Sequence, residues 1–226
     1  PGELGTLAAS FNEMAGSLEA TERRRLQLVG DVAHELRTPL TTLEGYLEGL
    51  EDGVVAPAPQ TWHLLRAETA RLTRLVDDLA ELWRAEAREL PLQIDAVDAA
   101  EVAREVGLRF EPQARARGIS IETPQRTVIA LADHDRLAQI LANFMSNALR
   151  HAPDRSTITI SVTRVGSHAD VAVADEGSGL TAEQLESVFE RFYRADTARD
   201  RAAGGAGIGL AIVRALAGAM GGWAWA

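Results

Sequence analysis

The sequence contains no cysteine among its 226 residues. Disulfide bonds, thiolate metal sites and cysteine nucleophiles are therefore excluded. Long apolar stretches are absent too, since no run approaches the ~20 residues that a membrane-spanning helix needs. No charged start followed by an apolar core marks a secretory signal. We therefore expect the chain as given to be soluble.

Basic residues are the scarcer of the two charged classes. Lys and Arg number 23 against 33 Asp and Glu, which gives a formal net charge of -10 at pH 7. Because binding to a phosphate backbone needs clustered Lys and Arg, we expect no nucleic-acid partner. The length suits two small domains, and a hydrophobic content of 46% is ordinary for a globular protein.

The first 90 residues have the spacing of amphipathic helices. Apolar residues recur every three or four positions on each side of a break at Gly53 and the prolines Pro57 and Pro59. The two stripes are Val29, Val32, Leu36, Leu43, Leu47 and Leu50, then Leu65, Leu72, Leu75, Leu79 and Leu82. A helical hairpin alone leaves such a stripe exposed, so the pattern predicts a dimeric four-helix bundle.

An α+β pattern follows Pro91. Strands are predicted at 119–121, 128–131, 157–163 and 170–174, with a turn at Gly166. A helix capped by Asp133 or Asp135 is predicted to run to about Arg150, and two more helices lie near 181–189 and 208–220. This order favours an α/β sandwich in which helices cover one face of one sheet.

A histidine stands beside an unusual proline in the first long helix, within Asp31-Val32-Ala33-His34-Glu35-Leu36-Arg37-Thr38-Pro39-Leu40. Proline inside a helix costs ~3 kcal/mol, so its presence needs a compensating role. His34 and Thr38 share a face away from the apolar stripe, which exposes the imidazole as a nucleophile. Glu35 is placed to accept the other ring proton, and Thr38 to position a water. A solvent-facing histidine with an incidental proline is the alternative for this motif alone.

Polar residues of the helix near 135–150 fall on one side: Asn143, Asn147, Arg150 and His151. Amide oxygens can coordinate Mg²⁺, while Arg and His reach phosphate oxygens. Two asparagines four residues apart on a helix, taken alone, more often belong to a solvent-exposed polar face.

Two glycine motifs follow. Asp175-Glu176-Gly177-Ser178-Gly179-Leu180 comes after a predicted strand, and Gly204-Gly205-Ala206-Gly207-Ile208-Gly209-Leu210 leads into a helix. Such glycines permit tight turns and close backbone approach, and a helix start presents N–H groups to phosphate. Between the motifs, 188–196 contains Phe189 and Phe192, and 195–206 has the composition of a mobile lid. Arg194 is placed either to approach a γ-phosphate or simply to face solvent.

In their order along the chain, these motifs resemble the H, N, G1, F and G2 boxes of the sensor histidine kinases of two-component systems. The resemblance implies ATP-dependent phosphorylation of His34, transfer to an aspartate of a response regulator, and dephosphorylation of that regulator. It implies that Asn147 binds Mg²⁺, that Asn143, Arg150 and His151 contact phosphate or ribose, and that Asp175 accepts the adenine amino group. Gly177, Gly179, Gly205, Gly207, Gly209 and Leu210 would line the nucleotide.

The resemblance also implies three segments. Residues 1–25 resemble the end of a HAMP signalling helix, 26–90 a dimerisation and phosphotransfer domain, and 91–226 an ATP-binding domain of the Bergerat (GHKL) type. The homodimer would be the cytoplasmic portion of a membrane sensor, attached through segments upstream of this sequence. Met220 stands where the family has histidine, which we expect to affect packing more than chemistry. We also expect the ATP-binding domain to lack the family's closing strand hairpin.

Two other functions fit parts of the pattern. A chaperone-type or mismatch-repair-type ATPase would have the nucleotide motifs, but no phospho-acceptor helix around His34. A signalling scaffold with a decayed ATP domain would not be expected to retain Asn147, Asp175 and the Gly207/Gly209 pair, but the missing closing hairpin keeps this alternative open.

Overall fold

The computed structural model of the protein describes residues 3–87, 90–193 and 207–226. Two compact units meet in sequence between Leu75 and Val76, inside the second helix. Among the described residues, no helix combines the length and the apolar character that crossing a bilayer requires.

The first unit is built from the predicted helical pair. Helix α1 (Glu3–Glu51) continues through Pro39, and helix α2 (Pro59–Glu86) follows a short turn. Gly53 adopts φ +70° in that turn, and the Val55 amide donates to the Gly49 carbonyl at 2.7 Å. The break predicted at Gly53 and the two prolines is therefore confirmed.

The apolar stripes of this pair are only partly covered within one chain. Leu65 and Leu75 of α2 are buried, whereas Val29 and Leu47 of α1 are 58% and 54% exposed. Pairing with a second copy, which would cover such residues, stays a prediction.

The second unit contains five strands and four further helices among its described residues. In chain order they are β1 (Asp95–Asp98), α3 (Ala99–Ala116), β2 (Ser120–Glu122), β3 (Ile129–Ala132), α4 (His134–His151), β4 (Thr157–Val165), β5 (His168–Ala174), α5 (Ala182–Ser187) and α6 (Gly209–Ala219). The predicted strands and helices are present, with ends shifted by a few residues. The sequence patterns missed β1 and α3, and α5 is shorter than the predicted 181–189.

The strands form two hydrogen-bonded groups rather than the predicted single sheet. Strand β1 pairs with β3 antiparallel, while the other group has the order β2-β4-β5. Within it β2 is parallel to β4, and β4 and β5 form the predicted antiparallel hairpin. Strands β1 and β3 have four residues each and pair with one another along their whole length, from Asp95↔Ala132 to Asp98↔Ile129.

Helices cover one face of the larger group, as predicted. Ile158, Ile160 and Val162 of β4 are buried, while the alternate residues Ser161 and Thr163 are exposed. The buried face packs in one core with α3 and α4, including Val106 and Leu141. Helix α4 also packs against α6, so the asparagine motif and the second glycine motif lie on neighbouring helices.

Candidate active site

The histidine motif lies on an exposed part of α1. His34 and Thr38 are both exposed, and the Thr38 hydroxyl is 3.4 Å from the His34 carbonyl oxygen. Glu35 turns toward α2, where Arg71 Nη2 lies 4.0 Å from its Oε2. Arg71 also pairs with Glu68 at 3.0 Å. The carboxylate beside His34 is therefore held in a half-buried ion-pair network, while the imidazole stays accessible.

Pro39 is almost completely buried in this motif. Its ring nitrogen cannot donate to the Glu35 carbonyl four residues back, yet α1 continues past it. The Thr38 and Thr42 hydroxyls each approach the carbonyl four residues earlier. Burial of the proline ring removes apolar surface from water, which contributes stability against the lost backbone hydrogen bond.

Helix α4 carries the asparagine motif and begins at a buried carboxylate. Asp133 is the N-cap, and its Oδ1 accepts from the amides of Asp135 and Arg136 at 3.0 and 3.1 Å. Its Oδ2 accepts from the Gln93 amide at 2.8 Å. Burial by itself raises the pKa of Asp133, but these three N–H donors and the Arg136 charge outweigh it and leave that pKa below its ordinary value.

The polar face of α4 meets the start of α6. Asn143, Asn147 and Arg150 are partly buried, and His151 is exposed. A Cβ placed on Gly209 would lie 3.3 Å from Asn143 Oδ1, so the glycine allows the first residue of α6 to approach the amide. The asparagine motif and the second glycine motif are therefore adjacent.

The first glycine motif contacts the C-terminal end of α4 at His151. The Gly177 amide donates to Asp175 Oδ1 at 2.8 Å, which leaves the exposed carboxylate's Oδ2 for another donor. A Cβ on Gly177 would lie 3.0 Å from the His151 carbonyl oxygen. Any larger residue at position 177 would push the Asp175 loop away from α4.

The described residues on either side of the predicted lid, Phe192 and Gly207, lie side by side. The Phe192 amide donates to the Gly207 carbonyl at 2.9 Å, and Phe189 is buried while Phe192 is half-buried. Gly207 has φ +70°, and a Cβ there would lie 2.7 Å from the Tyr193 carbonyl oxygen, so only glycine fits without displacing backbone. The lid itself, 195–206 with Gly205, lies outside the described residues, as does Arg194 just before it.

The polar groups of α4, the start of α6 and the Asp175 loop fit a magnesium nucleotide. Mg²⁺ commonly takes one or two protein oxygens and completes its shell with water and substrate phosphates, which suits the Asn147 amide. The first N–H groups of α6, at Gly209 and Leu210, have no partner within the helix and favour an anion. Asp175 offers a carboxylate to an amino group. Gly179, with φ +68°, completes the turn of the Asp175 loop.

Sequence reasoning missed three residues that position these motifs. Arg71 reaches Glu35 from α2, Arg136 pairs with Glu81 at 2.7 Å, and Arg117 bonds the end of α4. Each acts on a residue far away in the sequence, and no local spacing marks such a contact.

Two family models match the chain. Residues 24–88 match the His Kinase A (phospho-acceptor) domain, and residues 132–226 match the histidine kinase-, DNA gyrase B- and HSP90-like ATPase. The first range includes His34, and the second includes the α4 and α6 motifs.

Individual proteins match over most of the chain. It is 37% identical over 211 residues to the signal transduction histidine-protein kinase BaeS of Escherichia coli K12, covering 93% of this chain and 45% of BaeS. The Acinetobacter baumannii histidine kinase AdeS aligns with a TM-score of 0.70 and 29% identity over 82% of this chain and 86% of that one. ShkA in complex with AMPPNP aligns with a TM-score of 0.60 and 28% identity, over 84% and 41%. The chain thus spans less than half the length of BaeS.

Proposed function

The chain belongs to the sensor histidine kinases, and on that premise we propose that it phosphorylates its own His34 from ATP. The observation that carries this proposal is that one chain contains two features together. One is an exposed histidine followed by a carboxylate in an ion pair, and the other is a set of polar groups that suits a magnesium nucleotide. Neither feature alone selects this reaction. A clamp-type ATPase is disfavoured, because the phospho-acceptor match contains His34.

The acceptor chemistry requires a neutral imidazole nitrogen to attack the γ-phosphorus. The bond from that phosphorus to the β–γ bridging oxygen breaks, and ADP leaves with the electron pair. Glu35 accepts the proton from the other ring nitrogen. Arg71 pairs with the Glu35 carboxylate from the α2 side, with 4.0 Å between Nη2 and Oε2.

The nucleotide is bound by residues on α4, α6 and the two glycine motifs. Asp175 Oδ2 accepts from the adenine amino group, because Oδ1 is already occupied by the Gly177 amide. Asn143, Arg150 and His151 contact phosphate or ribose, and the α6 N–H groups at Gly209 and Leu210 bind phosphate oxygens. Gly205 belongs to the lid, residues 195–206, which excludes water. Arg194 and Gly207 flank the lid, and Arg194 approaches the γ-phosphate. Mg²⁺, held by Asn147, would neutralise the charge of the phosphates.

Partners and domain boundaries complete the proposal. A homodimer forms through α1 and α2, which covers exposed apolar residues such as Val29 and Leu47. A receiver domain of a response regulator takes the phosphoryl group from His34 on an aspartate and is dephosphorylated with the help of Thr38. The dimerisation module spans 26–90 and the ATP module 91–226. Residues 1–25 relay a signal from a membrane sensor.

Incubation with γ-labelled ATP and Mg²⁺ tests the reaction. Wild type and His63→Gln, which removes another exposed histidine of the first unit, should both take up label that is acid-labile and base-stable. His34→Gln should take up none. Equal labelling of His34→Gln would place the acceptor elsewhere and overturn the proposal, as would an acid-stable label on wild type.

A further inference from the structure

Arg117 makes a concentrated set of side-chain bonds in the second unit. It follows α3, and its guanidinium reaches the end of α4 and the loop beyond. Nη1 donates to the Leu149 carbonyl, Nη2 to the Ala152 carbonyl at 2.8 Å, and Nε to Asp154 Oδ1 at 2.8 Å. One side chain therefore bonds three groups around the last turn of α4.

These bonds supply what the end of a helix lacks. The last four carbonyls of an α-helix have no intrahelical partner, and a cation near them is favourable. The cap residue Ala152 donates its own amide to Ala148, which satisfies one carbonyl. Arg117 satisfies the Leu149 carbonyl and the Ala152 carbonyl just after the helix. The attachment is doubled by the Arg155 amide, which donates to the Arg117 carbonyl at 3.1 Å.

The turn that Arg117 holds is also the turn that carries the nucleotide contacts. Arg150 and His151 end α4, with Asn147 one turn earlier. The His151 carbonyl lies 3.0 Å from the Cβ position of Gly177, whose amide holds Asp175. A shift of this turn would move the phosphate side and the adenine side of the site together.

We propose that Arg117 is a positioning residue for nucleotide binding, which fixes the last turn of α4 in the geometry that the nucleotide requires. This inference rests on the proposed function, since it assigns Arg117 to the same ATP site. Arg117 does not contact the nucleotide in this account. Removing the Arg117 side chain loosens the last turn of α4 and weakens nucleotide binding even when no phosphoryl transfer takes place.

The chain offers a closely matched control at Arg104. Its guanidinium also bonds one carbonyl, that of Pro124 at 3.1 Å, and pairs with one carboxylate, that of Asp98 at 3.6 Å. Its side chain is 37% exposed, against 38% for Arg117. Its bonds join α3 to the connection between β2 and β3, so Arg104→Met should cost stability without moving α4.

The test compares Arg117→Met, Arg117→Lys and Arg104→Met with wild type in the full chain. The dissociation constant of a fluorescent ADP analogue is measured by titration, with Mg²⁺ and with EDTA. Amide hydrogen exchange of the nucleotide-free proteins is measured at residues 148–152. We expect Arg117→Met to weaken binding about tenfold and to speed exchange at 148–152. Lysine can reach only one acceptor at a time, so Arg117→Lys should fall between wild type and Arg117→Met.

Arg104→Met should stay within about twofold of wild-type affinity and leave exchange at 148–152 unchanged, even if its melting temperature falls. Equal weakening by Arg104→Met and Arg117→Met would reduce Arg117 to a stability role and overturn the inference. So would wild-type affinity in Arg117→Met. If wild type itself binds no nucleotide, the proposed function fails, and exchange at 148–152 still decides whether Arg117 holds this turn.

Discussion

Replacing Asp133 by alanine removes three hydrogen bonds at the start of α4. The Asp135 and Arg136 amides lose the acceptor that caps α4. The Gln93 amide loses its acceptor too, and with it the attachment of the segment that follows α2. Asp133 is 7% exposed, so water cannot fully replace the lost oxygens.

The magnitude follows from these contacts. Replacing an N-cap by alanine costs about 1 kcal/mol, and leaving a buried N–H without an acceptor costs about 1–3 kcal/mol. We expect Asp133→Ala to lower the free energy of unfolding by about 3 kcal/mol in total. For a unit of this size, the melting temperature should fall by roughly 6–12 °C.

The loss should depend on pH in a defined direction. The pKa of Asp133 is lowered in the folded protein, because its N–H donors and Arg136 outweigh burial. A carboxylate of this kind stabilises the fold fully above its unfolded pKa of about 3.9, and the stabilisation is lost as pH falls through the lower, folded value. The gap between wild type and Asp133→Ala should therefore be full at pH 7 and shrink below about pH 4.

Thermal and urea unfolding followed by circular dichroism measures this gap. Asp133→Asn is the matched variant, because its amide oxygen can still cap α4 while its NH₂ group faces the Gln93 amide in place of Oδ2. It should therefore lie between wild type and alanine at pH 7. A melting temperature for Asp133→Ala within about 2 °C of wild type at pH 7 would refute the reasoning, as would a gap that widens as pH falls.

Two further predictions concern the chemistry. Gly207→Ala should raise the dissociation constant of an ADP analogue, measured by titration, at least about tenfold, since a methyl at φ +70° meets the Tyr193 carbonyl. Unchanged affinity would show that the residues flanking the lid need not approach one another. Thr38→Ala should leave autophosphorylation within about twofold while slowing dephosphorylation of a phosphorylated receiver domain about tenfold, because only the second reaction needs the hydroxyl to position water; equal rates of dephosphorylation would contradict that role.

Local patterns predicted the elements whose signals are short-range. Asp133 or Asp135 was expected to cap α4, and the structure selects Asp133 because its carboxylate reaches both following amides. The Gly166 turn and the alternation through Ile158, Ile160 and Val162 predicted the β4–β5 hairpin correctly. Period and capping are properties of neighbouring residues, so a single sequence displays them.

Helix α3 escaped prediction for a physical reason. Its buried face consists largely of small residues, including Ala99, Ala103 and Gly107, and Pro112 lies inside it. Small residues give a weak apolar period, and a proline argues locally for a break. Tertiary packing decides here, because α3 lies in the core with α4 and β4.

Contacts between distant segments were beyond the reach of sequence patterns. Nothing near Arg117 points to the Leu149 carbonyl, and nothing near Arg71 points to Glu35. A contact between distant segments also partly explains why methionine stands at position 220, where the family has histidine. The Asp133 amide donates to the Met220 sulfur at 3.4 Å, so the methionine packs against the start of α4, in agreement with the expectation that it affects packing.

The central claim is that the phosphoryl group of ATP is transferred to His34, and trypsin isolates this residue cleanly. Cleavage after Arg25 and Arg37 releases residues 26–37, whose only histidine is His34 and which contain no Ser, Thr or Tyr. After incubation with Mg-ATP, mass spectrometry at neutral to alkaline pH should find one phosphate on this fragment, and none on the matching fragment of His34→Gln. A phosphate on another fragment, or no phosphate on 26–37 while the same protein binds the nucleotide, would contradict the account.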